Sequence, residues 1–566
     1  MHCPLRIIYI VTLAAIAAVA PCRAQSSDHD FELARQMDVF TNILSRVDLH
    51  YVDTVNPRRF VEAGISHMLS ELDPYTIYYP EERHDEILNF VSGRYAGIGV
   101  SLRSLRSQRR CMLTTVEHGG PAETGGLRPG DILLRVGARE LGEAASDSPE
   151  DLAAYALEVA AALRGEPGST IDIIVQRPGQ TRPRAYTVRR RLIEQKSVTY
   201  AAMVSDSVGY ICLMRFNENT GSELRQATAT LLQRGAHGIV IDLRGNPGGL
   251  LSAAVDAVAL FIPKETEVVR TRGNEHLKNE VYYTNSDPID ERVPLVVLTD
   301  GESASAAEIT AGALQDYDRA VIVGRRTFGK GLVQSTYDLP YGGLLKITTA
   351  RYYIPSGRCI QAVDYSHRNA DGTHAARPDS LSRPFQTSAG RTVYEGGGIK
   401  PDIETEGDTI SGIVVKIAES DVLYEFATEY VCTHQMPESP FAFHISEEDF
   451  AAFKQAVSGS DIDYGTRSRE ALVALRNAIR AEGYDSDVAS QLDALEARLS
   501  PDLGLVMERW RKPIKHLLEQ TIAEIAYGEA GLAEYNLRDD LPLATAMALL
   551  RDGRRYRSIL TTAPER

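Results

Sequence analysis

Between residues 193 and 404 short apolar runs alternate with amphipathic ones, and this alternation constrains the fold more than any other feature of the chain. The pattern predicts strands over 209–216, 238–242, 295–299 and 320–323, separated by helices over 223–234, 250–261 and 304–316. Repeated strand–helix units imply a largely parallel sheet in an α/β core. Such sheets carry their functional groups on the loops that follow the strand ends, so those loops are where chemistry is sought.

At 566 residues the chain is too long for one hydrophobic core, and its texture changes several times. His2 and Arg6 precede an uncharged apolar run over 7–20, followed by Pro21-Cys22-Arg23-Ala24-Gln25. A run this short, against the ~20 residues of a membrane span, predicts a secretory signal peptide over 1–24. The mature chain is then expected to be periplasmic or secreted. Retention of the segment or lipidation of Cys22 would give a membrane-anchored form, and Pro21 argues against lipidation. Residues 31–92 have helical periodicity, and 25–92 form an expected N-terminal helical region. Residues 93–192 turn to short strands, and 405–566 are helical in pattern, an expected C-terminal helical domain. A polar stretch after Gly357, running to Arg391, is expected to be a mobile surface insertion.

The formal charge is −16, and the two arginines of the first 24 residues face no acids there, so the remainder is more acidic still. That excludes a nucleic-acid-binding role, which relies on basic surface. Cys111, Cys212, Cys359 and Cys432 are scattered without CxxC spacing, so no metal site and no disulfide framework is expected, only isolated thiols or one bridge. No cofactor is expected.

In the strand-rich region, Gly97-Ile98-Gly99-Val100 precedes Gly120-Pro121-Ala122 and Gly125-Gly126-Leu127-Arg128-Pro129-Gly130-Asp131-Ile132. This arrangement resembles a PDZ domain. The resemblance implies that the backbone N–H groups of 97–100 form a nest for a peptide's terminal carboxylate, and that the following strand edge accepts the peptide by β-augmentation.

In the core, Ser305 falls where the strand at 295–299 turns through Asp300-Gly301-Glu302 into a helix. There a hydroxyl is exposed and helix N–H groups point at developing charge, although a capping serine would occupy the same place, and Ser303 is a rival. Lys330 lies between Gly329 and Gly331. An ordinary lysine is a poor base at neutral pH, but burial can lower its pKa by several units, and it could then take a proton from serine in place of histidine. A phosphate-loop reading of 324–330 fails because Gly331 stands where Ser or Thr would be needed. Gln334, four residues on, lies on the same face as Lys330 and can orient it. Asp316, about three helical turns from Ser305, is too far away to touch it and is expected to be structural. The turn Asp242-Leu243-Arg244-Gly245-Asn246-Pro247-Gly248-Gly249 offers Gly248 and Gly249 amides for an oxyanion hole, with the amide of Ala306. No GxSxG is present, and of thirteen histidines only His237 opens a core strand, which disfavours a Ser-His-Asp hydrolase.

These segments, with Gly396-Gly397-Gly398-Ile399-Lys400-Pro401-Asp402, resemble the C-terminal processing peptidases, also called tail-specific proteases, over about residues 31–404. The resemblance implies a multidomain α/β protein: a crotonase-like protease core with an inserted PDZ domain, an N-terminal helical cap and a helical C-terminal region. It also implies serine endopeptidase action near the unstructured C-termini of protein substrates, through a Ser305–Lys330 dyad assisted by Gln334. It favours Ser305 over Ser303, because the family's serine stands twenty-five residues before its lysine. The family's second serine after the nucleophile is Ala307 here. A regulatory adaptor protein and a homo-oligomer are compatible with this reading. The competing reading is a catalytically inactive PDZ adaptor for exported protein C-termini, for which a damaged dyad would be the sign.

Overall fold

The computed structural model describes residues 24–274, 279–368, 374–376, 382–405, 411–460, 462, 467–499 and 503–561. The expected signal peptide lies outside these except for its last residue. The chain divides into two compact units: residues up to Pro80 with Thr336–Ile347, and Glu81–Ser335 with Thr348–Arg566.

In the first unit, helix α1 (Ala24–His50) is followed by α2 (Pro57–Ser70), as the periodicity predicts. Asn56 starts α2 by accepting the Arg59 N–H on its side chain, with Pro57 in the first turn, where no N–H is needed. The Asp73 carboxylate accepts the N–H groups of Tyr75 and Thr76 and so turns the chain after the helix. Strand Ile77–Tyr79 then pairs antiparallel with Leu344–Lys346.

The second unit begins with the PDZ-like region. Strands β1 (Val100–Leu105), β2 (Arg110–Val116), β3 (Ile132–Val136), β4 (Thr170–Gln176) and β5 (Arg184–Arg189) pair in that order, which leaves β1 at the edge. Helix α3 (Pro149–Leu163) starts at Ser148, whose hydroxyl accepts the Asp151 N–H, and buries Val159 against Leu113, Leu133 and Ile173. The Gly-Asp turn before β3 is held by a fully buried Asp131 carboxylate paired with Arg177 at 2.7 Å.

The α/β core is a six-stranded sheet. Its strands run β6 (Val198–Met203), β7 (Val208–Leu213), β8 (Gly238–Asp242), β9 (Leu295–Thr299), β10 (Ala320–Gly324) and the short Ile403–Glu404. Only β6 and β7 pair antiparallel; the rest are parallel. Helices α4 (Thr220–Gln233), α5 (Leu251–Ala259) and α6 (Ala306–Asp316) cover one face, with Ile239, Ile241, Leu295 and Val297 beneath them. A second sheet, absent from the sequence expectation, is built from Glu267–Gly273, Glu280–Tyr283, β11 (Leu332–Asp338) and β12 (Leu344–Tyr353).

One expectation needs correction and another is met with an addition. The C-terminal residues form a helical region, as expected. Helices α7 (Gly412–Glu419), α8 (Asp421–Thr433) and α9 (Arg511–Asn536) have a core of their own, and α10 (Leu541–Arg551) and α11 (Gly553–Thr561) cover the other face of the six-stranded sheet. Leu543, Ala546 and Leu549 bury Val240, Val296 and Val321, and the Tyr556 hydroxyl bonds to the backbone of Leu295. A parallel sheet must be covered on both faces, and amphipathic periodicity does not say which surface a helix will cover. The correction concerns the polar stretch from 358 to 391, which is not a free insertion in its described parts. Val363–Arg368 pairs with His374–Ala376, and Pro384–Gln386 with Thr392–Tyr394. Its two end arginines are buried: Arg358 meets Asp316 at 2.8 Å, and Arg391 meets Asp318 and Asp402. Such residues look solvent-bound in sequence because the acids that neutralise them come from elsewhere in the chain.

The Arg358–Asp316 pair is almost fully buried, with each side chain 1% exposed. Asp316→Ala leaves the guanidinium uncompensated, and we expect urea titration to show a loss of about 3–5 kcal/mol in unfolding free energy.

Candidate active site

The site is assembled from three loops. After β9 the chain turns on Asp300, whose Oδ1 accepts the N–H groups of Glu302, Ser303 and, from the turn after β8, Gly245. Ser303 is fully buried, and its hydroxyl donates to the Leu243 carbonyl at 2.7 Å. Ser305 follows at the N-cap of α6 with φ 55° and ψ −114°, a strained conformation for a residue with a Cβ.

The glycine turn packs directly against it. Asn246, fully buried, donates to the Leu213 carbonyl and accepts the Gly248 N–H at 2.8 Å, while its own carbonyl accepts from Ala304. A Cβ on Gly248 would lie 2.7 Å from the Ser305 Cβ and 2.9 Å from the Ala306 nitrogen, closer than real atoms pack. Gly249 forms a parallel bridge with Phe216 in which its neighbours make the hydrogen bonds. Among the described residues, the Gly249 and Ala306 N–H groups meet no acceptor. Of the three amides expected to serve an oxyanion, that of Gly248 is therefore engaged within the turn.

The third loop leaves β10 and carries Thr327 to Gly331. The residue that joins it to the serine is Glu308, on the first turn of α6 and fully buried. One of its oxygens, Oε2, accepts the N–H of Ser305 and the N–H of Lys330, each at 2.9 Å. The other accepts the Thr327 hydroxyl at 2.5 Å and the Gly329 N–H at 2.7 Å. The backbone nitrogens of Ser305 and Lys330 thus lie within twice 2.9 Å of one another. Tyr352 repeats the bridge on the carbonyl side, with its hydroxyl 3.2 Å from the Ser305 oxygen and 2.5 Å from the Lys330 oxygen. Gly398 approaches the Thr327 carbonyl so closely that a Cβ there would lie 2.4 Å from it.

Gln334 lies on β11, and its Nε2 donates to the Thr348 hydroxyl at 3.1 Å. Asp316 is bound to Arg358 at the far end of α6. Glu308 and Tyr352 carried no role in the sequence reading. Ser305 with a glutamate three residues later is a capping-box signal that could have found the first; nothing local marks the second.

Gly97-Ile98-Gly99-Val100 lies at the start of the edge strand β1. The Ile98 carbonyl accepts from Ala122, Gly99 has φ 73°, and its carbonyl accepts from Glu117. Leu102 and Leu152 pack at the rim of the domain core beside this edge.

A serine at a strained helix start, tied to a lysine loop and preceded by a PDZ domain, defines a serine endopeptidase with its own peptide-binding module. Comparison with known proteins agrees. "Peptidase family S41" matches residues 207–366, "PDZ domain" matches 90–159 and "Probable PDZ-protease, C-terminal helical domain" matches 413–550. The carboxy-terminal-processing protease of Bartonella bacilliformis is 32% identical over 368 residues, covering 63% of this chain and 80% of that one. A CtpA-like serine protease of Staphylococcus aureus is 33% identical over 322 residues, covering 56% of this chain and 61% of its own. Among solved structures, the photosystem II D1 C-terminal processing protease is 26% identical, covering 65% of this chain and 87% of that one, with a TM-score of 0.35. The chain belongs to the carboxy-terminal-processing protease family.

Burial pushes the Glu308 carboxyl up to about 7, while the four donors around it oppose the shift. Because the folded pKa lies above the unfolded one, Glu308 stabilises the fold most below its unfolded pKa and loses that contribution as pH rises to about 7. The stability of the wild-type protein relative to Glu308→Gln should therefore fall between pH about 4.5 and about 7, by roughly 3 kcal/mol, and level off above. Chemical denaturation of both proteins across that range checks the slope.

Proposed function

We propose that this protein is an exported endopeptidase that holds the C-terminal tails of protein substrates in its PDZ groove and cleaves them with a Ser305–Lys330 dyad. The observation that carries the reading is the double staple on Glu308 and Tyr352, which fastens the two loops together through the backbone on both sides of each residue. Export is supported by the N-terminal sequence, with its short apolar run over 7–20 and the small residue Ala24 before Gln25.

In this mechanism neutral Lys330 takes the Ser305 Oγ proton as the oxygen attacks the scissile carbonyl. The oxyanion is met by the N–H groups of Ala306 and Gly249, while Gly248 supplies the close approach. Lys330 then returns the proton to the leaving amine and, as base again, activates the water that releases the acyl chain. Gln334 donates through its Nε2 to Thr348, which leaves its carboxamide oxygen to serve the lysine as a neutral acceptor. The carboxylate of a substrate tail binds the N–H groups of 97–100, and its last residues pair with β1.

Purified protein should cleave a substrate with a flexible, apolar C-terminal tail. Ser305→Ala and Lys330→Ala should each lower kcat by roughly 10^4-fold or more, with melting temperatures retained. Undiminished turnover by Lys330→Ala would remove lysine from the mechanism. An inactive adaptor would bind such tails without cleaving them.

A further inference from the structure

A cavity of about 1020 Å³ opens at the far end of the PDZ groove, and each of its walls comes from a different part of the second unit. Arg103, Arg106 and Leu152 contribute the PDZ side, Arg325 the protease core, and Val415 and Leu517 the C-terminal helices. We propose that this cavity is a substrate subsite: it takes the extended segment immediately upstream of the tail residues held by the PDZ groove. The proposal rests on PDZ capture as described above.

Strand polarity locates the occupant. A tail whose carboxylate lies at residues 97–100 has its end at the start of β1, so the rest of it can only run along that edge toward Leu105. β1 is six residues long, about 20 Å, so the peptide leaves the edge beginning about five residues from its C-terminus. Arg103, Arg106 and the first turn of α3 border the edge there, and the cavity is what the departing chain meets. Arg325, five residues before Lys330, also lines the cavity, so the loop that carries the lysine borders it as the PDZ side does.

The chemistry of the lining favours acceptors in the occupant. Arg103 is held by the Glu419 carbonyl and stacks on Tyr424, and its Nε–H is buried with no partner. The Arg325 side chain is exposed and meets no acceptor among the described residues. The acids of the lining are already paired: Asp147 with Arg106, Glu419 with Lys416, and Asp421 with the Ser107 N–H. Peptide carbonyls and acidic side chains are what the unpaired donors accommodate, above an apolar floor of Val415 and Leu517.

The test uses the full-length protein and a folded reporter with a flexible tail. The tail ends in one constant apolar tripeptide, while the residues five to eight from its end are all Glu or all Lys. In the wild-type protein kcat/KM should favour the Glu segment by about fivefold. Arg325→Glu should abolish or invert that ratio. Val415→Trp, at an exposed position, should raise KM for both reporters by about tenfold while the protein melts as wild type does. Cavity variants that keep the wild-type ratio and KM, with cleavage still impaired by amidating the reporter's C-terminus, would overturn the subsite alone. Indifference to amidation would overturn PDZ capture and the subsite with it.

Discussion

A single buried carboxylate ties the serine turn to the lysine loop. Glu308 accepts four hydrogen bonds, from the backbone of Ser305, Gly329 and Lys330 and from the Thr327 hydroxyl. The serine turn and the lysine loop leave different strands, and Glu308 adds to the direct bond from the Phe328 N–H to the Ser303 carbonyl at 3.0 Å in fastening them together. A fully buried carboxylate is expensive unless every lone pair is used, and here the groups that use them are the ones that must be positioned. Tyr352 completes the frame from the second sheet, which gives that sheet a reason to lie where it does.

The C-terminal helices are joined to the same frame. Arg244, in the turn that carries Gly248 and Gly249, pairs with Asp242 behind it and with Asp540, whose carboxylate also caps α10. Tyr210 adds its hydroxyl to Asp242 from the neighbouring strand. The helix that covers the protease sheet is therefore tied at its first turn to the turn that packs on Ser305. At the other end of the region, α8 contacts the PDZ domain: Tyr424 packs on Leu105 and Met112, and Asp421 accepts the Ser107 N–H. Peptide-binding domain, protease sheet and helical region form one compact unit, and the tail helices are a structural part of both neighbours.

Much of this was legible. The strands and helices from 208 to 324 appear within a few residues of where periodicity placed them, because buried apolar runs bounded by glycine turns have few alternative foldings. The N-terminal helices and the edge strand after Gly97-Ile98-Gly99-Val100 were equally plain. What was hidden has a common cause. The second sheet, the buried Arg358 and Arg391, and the partners of Glu308 all depend on groups from far along the chain. A polar residue is read from sequence as solvent-facing, and only folding reveals the opposite charge that lets it be buried.

The sequence by itself determined the family, the strand and helix order of the core, and the serine, lysine and glycine segments on the loops that follow strands. These follow from short-range rules: turn chemistry, side-chain period and the spacing of a motif. Tertiary structure decided how the segments meet. It assigned Ser303 to a buried structural bond, engaged the Gly248 amide within its own turn, and made Glu308 the common acceptor for two loops. It also set the last helices against the protease sheet. None of these could be read along the chain, since each is a distance between residues that only the packed sheet brings together.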